Sequence, residues 1–338
     1  MATIAINGLG RIGRAALKII METPGLELVA VNDIVPIENI VYLLKYDTVY
    51  GRYDRTVEAD GENLRIGGNS IRYLSEKDPA QLPWSALGID IVLECTGVFT
   101  KRQDLEKHIQ AGARYVILSA PAKSDDVVTV VHGVNTVDGN TQIIACASCT
   151  TNCITPVVEI IGRRIGIKKA IMTTVHAYTA SQGIVDKPSK RFERGRAGAA
   201  NFVPTTTGAA KATAKALPQL DNLFDGIAVR GPVAVGSLAD IVLVAERKTS
   251  VEEINQIFME EAASERYREI IGVTHDPIVS SDIVKDPRAS IIDLGMTRVV
   301  DGDLIKILSW YDNEWGFTNQ MVREALQLGQ ATKMAAKT

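Results

Sequence analysis

Apolar and polar positions along the first part of the chain follow two rhythms. Short apolar runs predict strands over 3–7, 27–32, 89–95, 115–119 and 142–146, while 11–21 and 102–113 repeat apolar residues at the helical period. Strands separated by helices predict a parallel, doubly wound α/β sheet. The rhythm changes near residue 148. A helix over 149–165 precedes longer strands over 169–177, 238–247, 290–296 and 303–311, interrupted by helices over 208–216 and 251–265. Longer strands with fewer crossovers predict a second, α+β domain with a mostly antiparallel sheet. The expected division is 1–148 and 149–314, with a last amphipathic helix over 315–334 packing back on the first domain.

Composition narrows the class. Of 338 residues, 46% are hydrophobic and 23% charged, which excludes a disordered chain, a fibrous repeat and a disulfide mini-scaffold. With 37 Lys+Arg against 40 Asp+Glu, the net charge of -3 argues against membrane or nucleic acid as partner of the whole surface. The start lacks a basic n-region, and the uncharged run 139–158 is broken by polar residues and Pro156, so a soluble, cytoplasmic protein is expected. Of its four cysteines, Cys146, Cys149 and Cys153 fall within eight positions, the distribution of a site rather than of a framework.

Gly8-Leu-Gly10-Arg-Ile-Gly13 follows the first strand and opens the first helix. There Gly8 permits a tight turn, Gly10 lets a pyrophosphate approach the backbone, and Gly13 lets the helix pack closely on the strand. The helix N-terminus offers free N–H groups to phosphate. Asp33 ends the next strand, 20 residues beyond Gly13, where a carboxylate accepts from the adenosine ribose and repels a 2′-phosphate. These features predict a Rossmann-type dinucleotide-binding domain that takes NAD, with NADP secondary.

Ala147-Ser148-Cys149-Thr150-Thr151-Asn152-Cys153 lies where a strand passes into a helix. The helix dipole favours thiolate there, but lowering a thiol pKa from about 8.5 to about 6 needs roughly 3.4 kcal/mol, and a dipole supplies about 1. A cation or base must help. Among four histidines the candidate is His176, at the end of the strand over 169–177; His108 falls in a helix read as surface, and His132 and His275 have no motif around them. Other readings of the cluster are a buried structural thiol at Cys153, a Cys146–Cys149 redox pair, and a three-thiolate metal site that lacks a fourth ligand; no metal is expected. A thiolate beside a base in a dinucleotide-binding chain adds to an aldehyde, and the thiohemiacetal passes hydride to nicotinamide. The resulting thioester awaits water, phosphate or coenzyme A.

The basic run Lys187-Pro-Ser-Lys190-Arg191-Phe-Glu-Arg194-Gly-Arg196 precedes Pro204-Thr-Thr-Thr207-Gly208, a hydroxyl-rich lead into a helix. Together they suit a phosphate cradle, and Arg230 could serve another anion; a solvated loop or an RNA patch is the alternative.

The chain resembles the phosphorylating glyceraldehyde-3-phosphate dehydrogenase family almost end to end. The resemblance rests on Asn7-Gly-Leu-Gly-Arg-Ile-Gly-Arg14, Leu44-Lys-Tyr-Asp47, Cys95-Thr-Gly-Val-Phe-Thr100 and Ser119-Ala-Pro121. It continues through Ala147-Ser-Cys-Thr-Thr-Asn152, Thr174-Val-His-Ala-Tyr-Thr179, Thr206-Thr-Gly-Ala-Ala-Lys211 and Ser309-Trp-Tyr-Asp-Asn-Glu-Trp-Gly316. It implies Cys149 as nucleophile, with His176 activating it and shuttling the thiohemiacetal proton. Arg11, Ile12, Asp33, Lys77, Thr96, Gly97 and Ser119 would line the NAD site, with Asn313 on the nicotinamide carboxamide. Thr179 and Arg230 would take the C3 phosphate of glyceraldehyde 3-phosphate. Ser148, Thr150, Arg194, Thr207 and Gly208 would take the attacking inorganic phosphate. A homotetramer is implied, with the basic run packed against a neighbouring subunit, and a reversible place in glycolysis or gluconeogenesis.

The chain departs from the commonest family pattern in four places. Arg230 is followed by Gly231-Pro-Val-Ala-Val-Gly-Ser237 where Val-Pro-Thr is usual. Ser181 replaces Asp, Phe317 replaces Tyr, and Cys146 is an extra thiol. An erythrose-4-phosphate dehydrogenase, which resolves the thioester with water, is the nearest alternative. Retained Arg194, Thr207 and the Ser148–Thr150 block argue for phosphate. An intact Cys149/His176 pair argues against a purely RNA-holding protein.

Overall fold

The first strand, β1 (Ala2–Asn7), is nearly all buried, and parallel strands flank it on both sides. These are β2 (Leu26–Asn32), reached through α1 (Arg11–Ile20), and β8 (Ile91–Glu94). Past β2 the chain forms α2 (Ile37–Lys45), the small ribbon β3 (Tyr46–Asp47) and β4 (Gly51–Arg52), and an antiparallel meander, β5 (Val57–Asp60), β6 (Asn63–Ile66) and β7 (Asn69–Leu74). Beyond β8 come α3 (Arg102–Gln110), β9 (Tyr115–Leu118), β10 (Val128–Thr129) and β11 (Ile143–Ala145). The nine-stranded order is β10-β11-β9-β8-β1-β2-β7-β6-β5, parallel from β10 through β7. This computed structural model describes residues 1–138 and 140–335, which divide into two units. Unit 1 comprises Met1–Val130, Thr136–Ala147 and the chain from Met321; unit 2 comprises Val131–Asn135 and Ser148–Gln320.

Unit 2 is built on α4 (Cys149–Arg164), whose buried side carries Cys153, Ile154, Val157 and Ile161 into the core. The long strand β12 (Ile167–Ala177) follows, then β13 (Val203–Thr206), α5 (Ala209–Ala216), β14 (Phe224–Gly231) and β15 (Ser237–Ala245). After α6 (Val251–Ala263) come β16 (Ile271–Thr274), β17 (Ser290–Asp293), β18 (Arg298–Val300) and β19 (Leu304–Tyr311), and α7 (Trp315–Ala335) closes the chain. The order is β13-β14-β12-β15-β19-β17-β16, with β18 beside β19; only β12/β14 and β16/β17 run parallel. The mixed α/β architecture is as expected from the pattern.

The structure adds α2, the strands β3–β7, β10, β13, β14, β16 and β18 to the elements that the pattern predicts, and it buries one residue read as surface. The pattern shows no strand at β14 because Asp225 and Gly226 interrupt the apolar alternation. Yet Gly226 is required, since a Cβ there would stand 2.6 Å from the Met172 carbonyl oxygen of the neighbouring strand. His108, read as a surface residue, is fully buried, because Trp84 and Glu94 give both ring nitrogens a partner.

The three glycines of the turn meet different surroundings. Gly8 adopts φ 93°, and a Cβ on Gly13 would stand 1.9 Å from the Gly8 carbonyl oxygen, whereas a Cβ on Gly10 would meet nothing within 4 Å. Gly13→Ala should therefore lower unfolding stability by about 3 kcal/mol or more, while Gly10→Ala stays within about 0.5 kcal/mol. Urea unfolding of both variants checks this, and equal losses would refute the division.

Candidate active site

Two backbone devices set the central contact in unit 2. β12 and β14 pair in register with His176 opposite Arg230. Ser148 caps α4, its Oγ accepting from Thr151 N at 3.2 Å, which leaves Cys149 as the first helical residue. Ala147 just before it sits at φ 56°, a left-handed conformation that costs a residue with a Cβ about 1–2 kcal/mol. The strained turn and the cap together present Cys149 at the positive end of the helix.

Cys149 Sγ lies 3.3 Å from His176 Nε2. Burial pushes the Cys149 thiol up, opposed by the Arg230 charge and by hydrogen bonding from Thr150. Burial, reinforced by Arg230, pushes His176 down to about 3. Burial thus favours the neutral form of each group, and the 3.3 Å contact is short enough for the thiol proton to pass to the imidazole. On the other side of the ring, His176 Nδ1 faces Ala177 O at 2.7 Å and also the Arg230 guanidinium. One nitrogen cannot donate to the carbonyl and accept from the arginine at once. Donation to Ala177 leaves Nε2 free to accept the thiol proton. Arg230 also donates to Ala177 O at 3.1 Å, and its buried Nε has no partner.

Tyr311 is not among the residues the sequence singles out, although it lies within the Ser309–Gly316 block. Its hydroxyl bonds to Thr150 Oγ1 at 2.9 Å and Thr174 Oγ1 at 2.7 Å, and its ring meets His176 edge-on at 5.9 Å. It ties α4, β12 and β19 together at the nucleophile.

Arg194 donates to Thr205 Oγ1 at 3.0 Å and Thr206 O at 3.1 Å, while Arg191 bonds Thr206 Oγ1 and Arg196 pairs with Asp186 at 2.8 Å. These arginines of the basic run are thus engaged within their own loop. Arg194 is lowered by burial and by the charges of Arg230 and Arg191, and its own charge reaches His176. Gly208 presents no side chain and has open space where one would project. Of the other residues expected to bind phosphate, Ser148 and Thr150 turn their hydroxyls to the cap and to Tyr311. Thr179 bonds Ser181 at 2.8 Å, and Thr207 Oγ1 accepts from Ala209 N at 3.2 Å. Of these four hydroxyls, that of Thr150 also hydrogen-bonds Cys149. Cys153 is fully buried, with Ser309 Oγ 3.4 Å from its sulfur, and none of the four cysteines is in a disulfide.

In unit 1, the α1 N-terminus at Gly10 has no side-chain cap and no acid in its first turn, and its positive dipole end suits an anion. Asp33 accepts from Leu9 N at 2.6 Å and Val35 N at 3.0 Å, bonds that hold its carboxylate beside the glycine turn. Arg11 pairs with Asp47 at 2.6 Å and lies over Tyr50, with half-buried Ile12 next to it. Thr96 and Ser119 continue from the adjacent strand ends β8 and β9, half-buried, while Gly97 and Lys77 are exposed. The open Gly10 approach, the uncapped helix end and the placed carboxylate fit a dinucleotide. In unit 2, Asn313 Oδ1 accepts from Gly236 N at 3.1 Å and Ser237 Oγ at 2.9 Å, which turns Nδ2 outward as a donor.

Comparison with known proteins agrees with this geometry. The family model for the NAD binding domain of glyceraldehyde 3-phosphate dehydrogenase matches residues 2–102, and that for its C-terminal domain matches 148–313. A glyceraldehyde-3-phosphate dehydrogenase of Streptomyces coelicolor is 47% identical over 94% of this chain and 96% of its own. Those of Clostridium pasteurianum and Zymomonas mobilis are 45% and 44% identical, covering 96% and 97% of this chain and 97% and 98% of theirs. The chain belongs to the glyceraldehyde 3-phosphate dehydrogenase family.

Proposed function

We propose that the chain oxidises D-glyceraldehyde 3-phosphate to 1,3-bisphosphoglycerate, using NAD and inorganic phosphate, through a thioester on Cys149. The 3.3 Å Cys149–His176 contact at the start of α4 carries this reading. Cys149 Sγ adds to the aldehyde carbon as His176 Nε2 takes the thiol proton, and the helix N-terminus and Arg230 favour the negative sulfur. The imidazole then manages the hydroxyl proton of the thiohemiacetal. Bound NAD supplies the hydride acceptor. The Arg194–Thr206 loop and the open α5 start at Gly208 receive the phosphate that attacks the thioester; Thr207, Ser148 and Thr150 border that anion. Arg230, with its unpartnered Nε, and Thr179 receive the C3 phosphate. Asn313 Nδ2 holds the nicotinamide carboxamide, and Arg11, Ile12, Lys77, Thr96, Gly97 and Ser119 line the rest of the cofactor site. The Asp33 carboxylate disfavours a 2′-phosphate, so NADP is the poorer cofactor.

The same reading includes a homotetramer. Ile171 and Val175 of β12 and Ile227 of β14 form an exposed apolar strip on one sheet face, at 60%, 40% and 52% exposure. Ile184, Val185, Phe192 and Phe202 are exposed around the basic run. Apolar area of this kind is characteristic of a surface covered by a partner. The cytoplasm is the working compartment in this reading; separately, among the described residues no helix is long and apolar enough to cross a membrane.

NADH formation from glyceraldehyde 3-phosphate should require inorganic phosphate and run faster with NAD than with NADP. Cys149→Ala should abolish it while still titrating NAD. Turnover that ignores phosphate would replace this reading with a hydrolytic one, for which erythrose 4-phosphate is the substrate to try.

His176→Asn should slow turnover by about 10²-fold or more and move alkylation of Cys149 by iodoacetamide to higher pH, since the buried thiol then titrates alone. Acid stability gives an independent check. The fold keeps His176 neutral down to about 3, while the unfolded chain takes up its proton below about 6.5. Stability from this group is therefore present above pH 6.5 and falls by about 1.4 kcal/mol per pH unit below it. His176→Asn should lose that component; unchanged acid sensitivity would refute it.

Ile171→Lys should reduce the tetramer to smaller species in sedimentation velocity. A wild-type chain that sediments as a monomer would remove the oligomer from the proposal.

A further inference from the structure

Glu94, the last residue of β8, and His108 of α3 are both wholly withdrawn from solvent. Their hydrogen bonds run in one direction. The Trp84 indole N–H can only donate, and it donates to His108 Nδ1 at 3.0 Å. His108 therefore carries its proton on Nε2 and donates it to Glu94 Oε2 at 3.1 Å. A second chain starts at the backbone N–H of Glu76, which donates to Asn32 Oδ1 at 2.8 Å. Asn32 Nδ2 then donates to Asn7 Oδ1 at 2.7 Å, and Asn7 Nδ2 to Glu94 Oε2 at 2.6 Å. A third is the backbone N–H of Thr96, which donates to Glu94 Oε1 at 2.8 Å. The Thr96 hydroxyl accepts from Val98 N at 3.1 Å and donates to that same oxygen. Each chain begins at a donor that cannot reverse and ends on Glu94. The carboxyl group receives four donors and has no position for a proton of its own. Donors from β1, α3 and the Thr96 loop thus converge on one buried side chain.

We propose that Glu94 is the positioning residue of the dinucleotide site, locking the Thr96–Gly97 loop against the Gly8 turn and aligning the ends of β1 and β2 beneath it. Asn7 and Asn32 are the last residues of those strands. The Gly8 N–H donates to Asn32 O at 2.8 Å, and Cys95 N to Asn7 O at 2.7 Å. The loop lies so close that a Cβ on Gly8 would be 2.7 Å from Thr96 N. The network therefore joins the glycine turn, the residue before Asp33 and the Thr96 loop through one carboxylate. This inference rests on the assignment of NAD to unit 1.

Glu94→Gln keeps the shape and removes two acceptor positions. Its amide oxygen can satisfy Asn7 and His108, neither of which can reverse. The new NH2 then faces the Thr96 N–H, donor against donor. The Thr96 hydroxyl can rotate to accept, but the backbone N–H cannot, so the loop must move. The expected result is a rise of about tenfold in NAD Kd, read by fluorescence titration of the full-length protein, and in NAD KM. The kcat at saturating NAD, the KM values for aldehyde and phosphate, and Cys149 alkylation should hold. Thr96→Val, which removes the hydroxyl's bonds to Glu94 and Val98 N but keeps the backbone N–H donor on Glu94, should give a smaller rise of the same kind. An unchanged NAD Kd in Glu94→Gln overturns the proposal, as does a parallel rise in all three substrate constants with altered alkylation, which would mark general loosening. If Glu94→Gln does not fold, Thr96→Val decides: a selective rise in NAD KM supports the proposal and no change overturns it. Failure of the wild-type chain to bind NAD would overturn the cofactor assignment itself.

Discussion

A thiol and an imidazole buried side by side have little choice but to act as one group. Withdrawal from water raises the proton affinity of Cys149 and lowers that of His176, so each alone is held neutral. Charge separation then depends on what surrounds the pair. The α4 N-terminus and Arg230 favour negative sulfur, while the Ala177 carbonyl rewards a proton on Nδ1. A shift of an ångström in the 3.3 Å contact would uncouple the two groups. The strained Ala147 turn, the Ser148 cap, the β12/β14 register and the Tyr311 hydroxyl are therefore one construction: each fixes a different atom of the same contact.

Unit 1 solves a related problem by different means. A cofactor with two phosphates needs backbone donors at close range, so its site is made of glycines, strand ends and an uncapped helix. Such a site has few side chains with which to define its own shape. Glu94 supplies the shape from below, because a carboxylate that gathers donors from three chain segments fixes all three at once. Both sites thus place a buried ionisable side chain where elements distant in sequence meet.

Much of this was legible in residue order, and the reason lies in periodicity. The parallel strands of unit 1 are short apolar runs bounded by turns, and the glycine spacing marks the crossover. Cys149 and His176 stood out because a nucleophile and a base must be of particular chemical types. The Glu94 network was not legible. Asn7, Asn32, Glu94 and His108 are ordinary polar residues at strand ends and in a helix with surface character, and only the β8-β1-β2 order brings them together. Tyr311 was hidden for the same reason, as an aromatic residue in a strand pattern that any core residue would fit. β14 was missed because Gly226 serves its neighbour Met172 rather than its own strand. In each case the deciding partner is distant in sequence.

The departures from the family pattern lie around the Cys149–His176 contact rather than in it. In the unusual segment after Arg230, Gly236 adopts φ 93°, and a Cβ there would stand 2.2 Å from Ser280 O. That segment works through main chain and side chain together: Gly236 N and the Ser237 hydroxyl both donate to Asn313 Oδ1, and Val233 O accepts from Tyr178 N at 3.1 Å. The Ser237 hydroxyl also accepts from Ala177 N at 3.1 Å, so one side chain ties the amide of Asn313 to the residue after His176. Phe317 is buried at 4% exposure, so the hydroxyl it lacks is absent from a packed position rather than from an open surface. Cys149, His176, Arg194 and Arg230 keep the residue types that the resemblance implies, while Ser181 meets Thr179 through a hydroxyl bond of 2.8 Å. The departures therefore surround the Cys149–His176 contact without removing either of its partners.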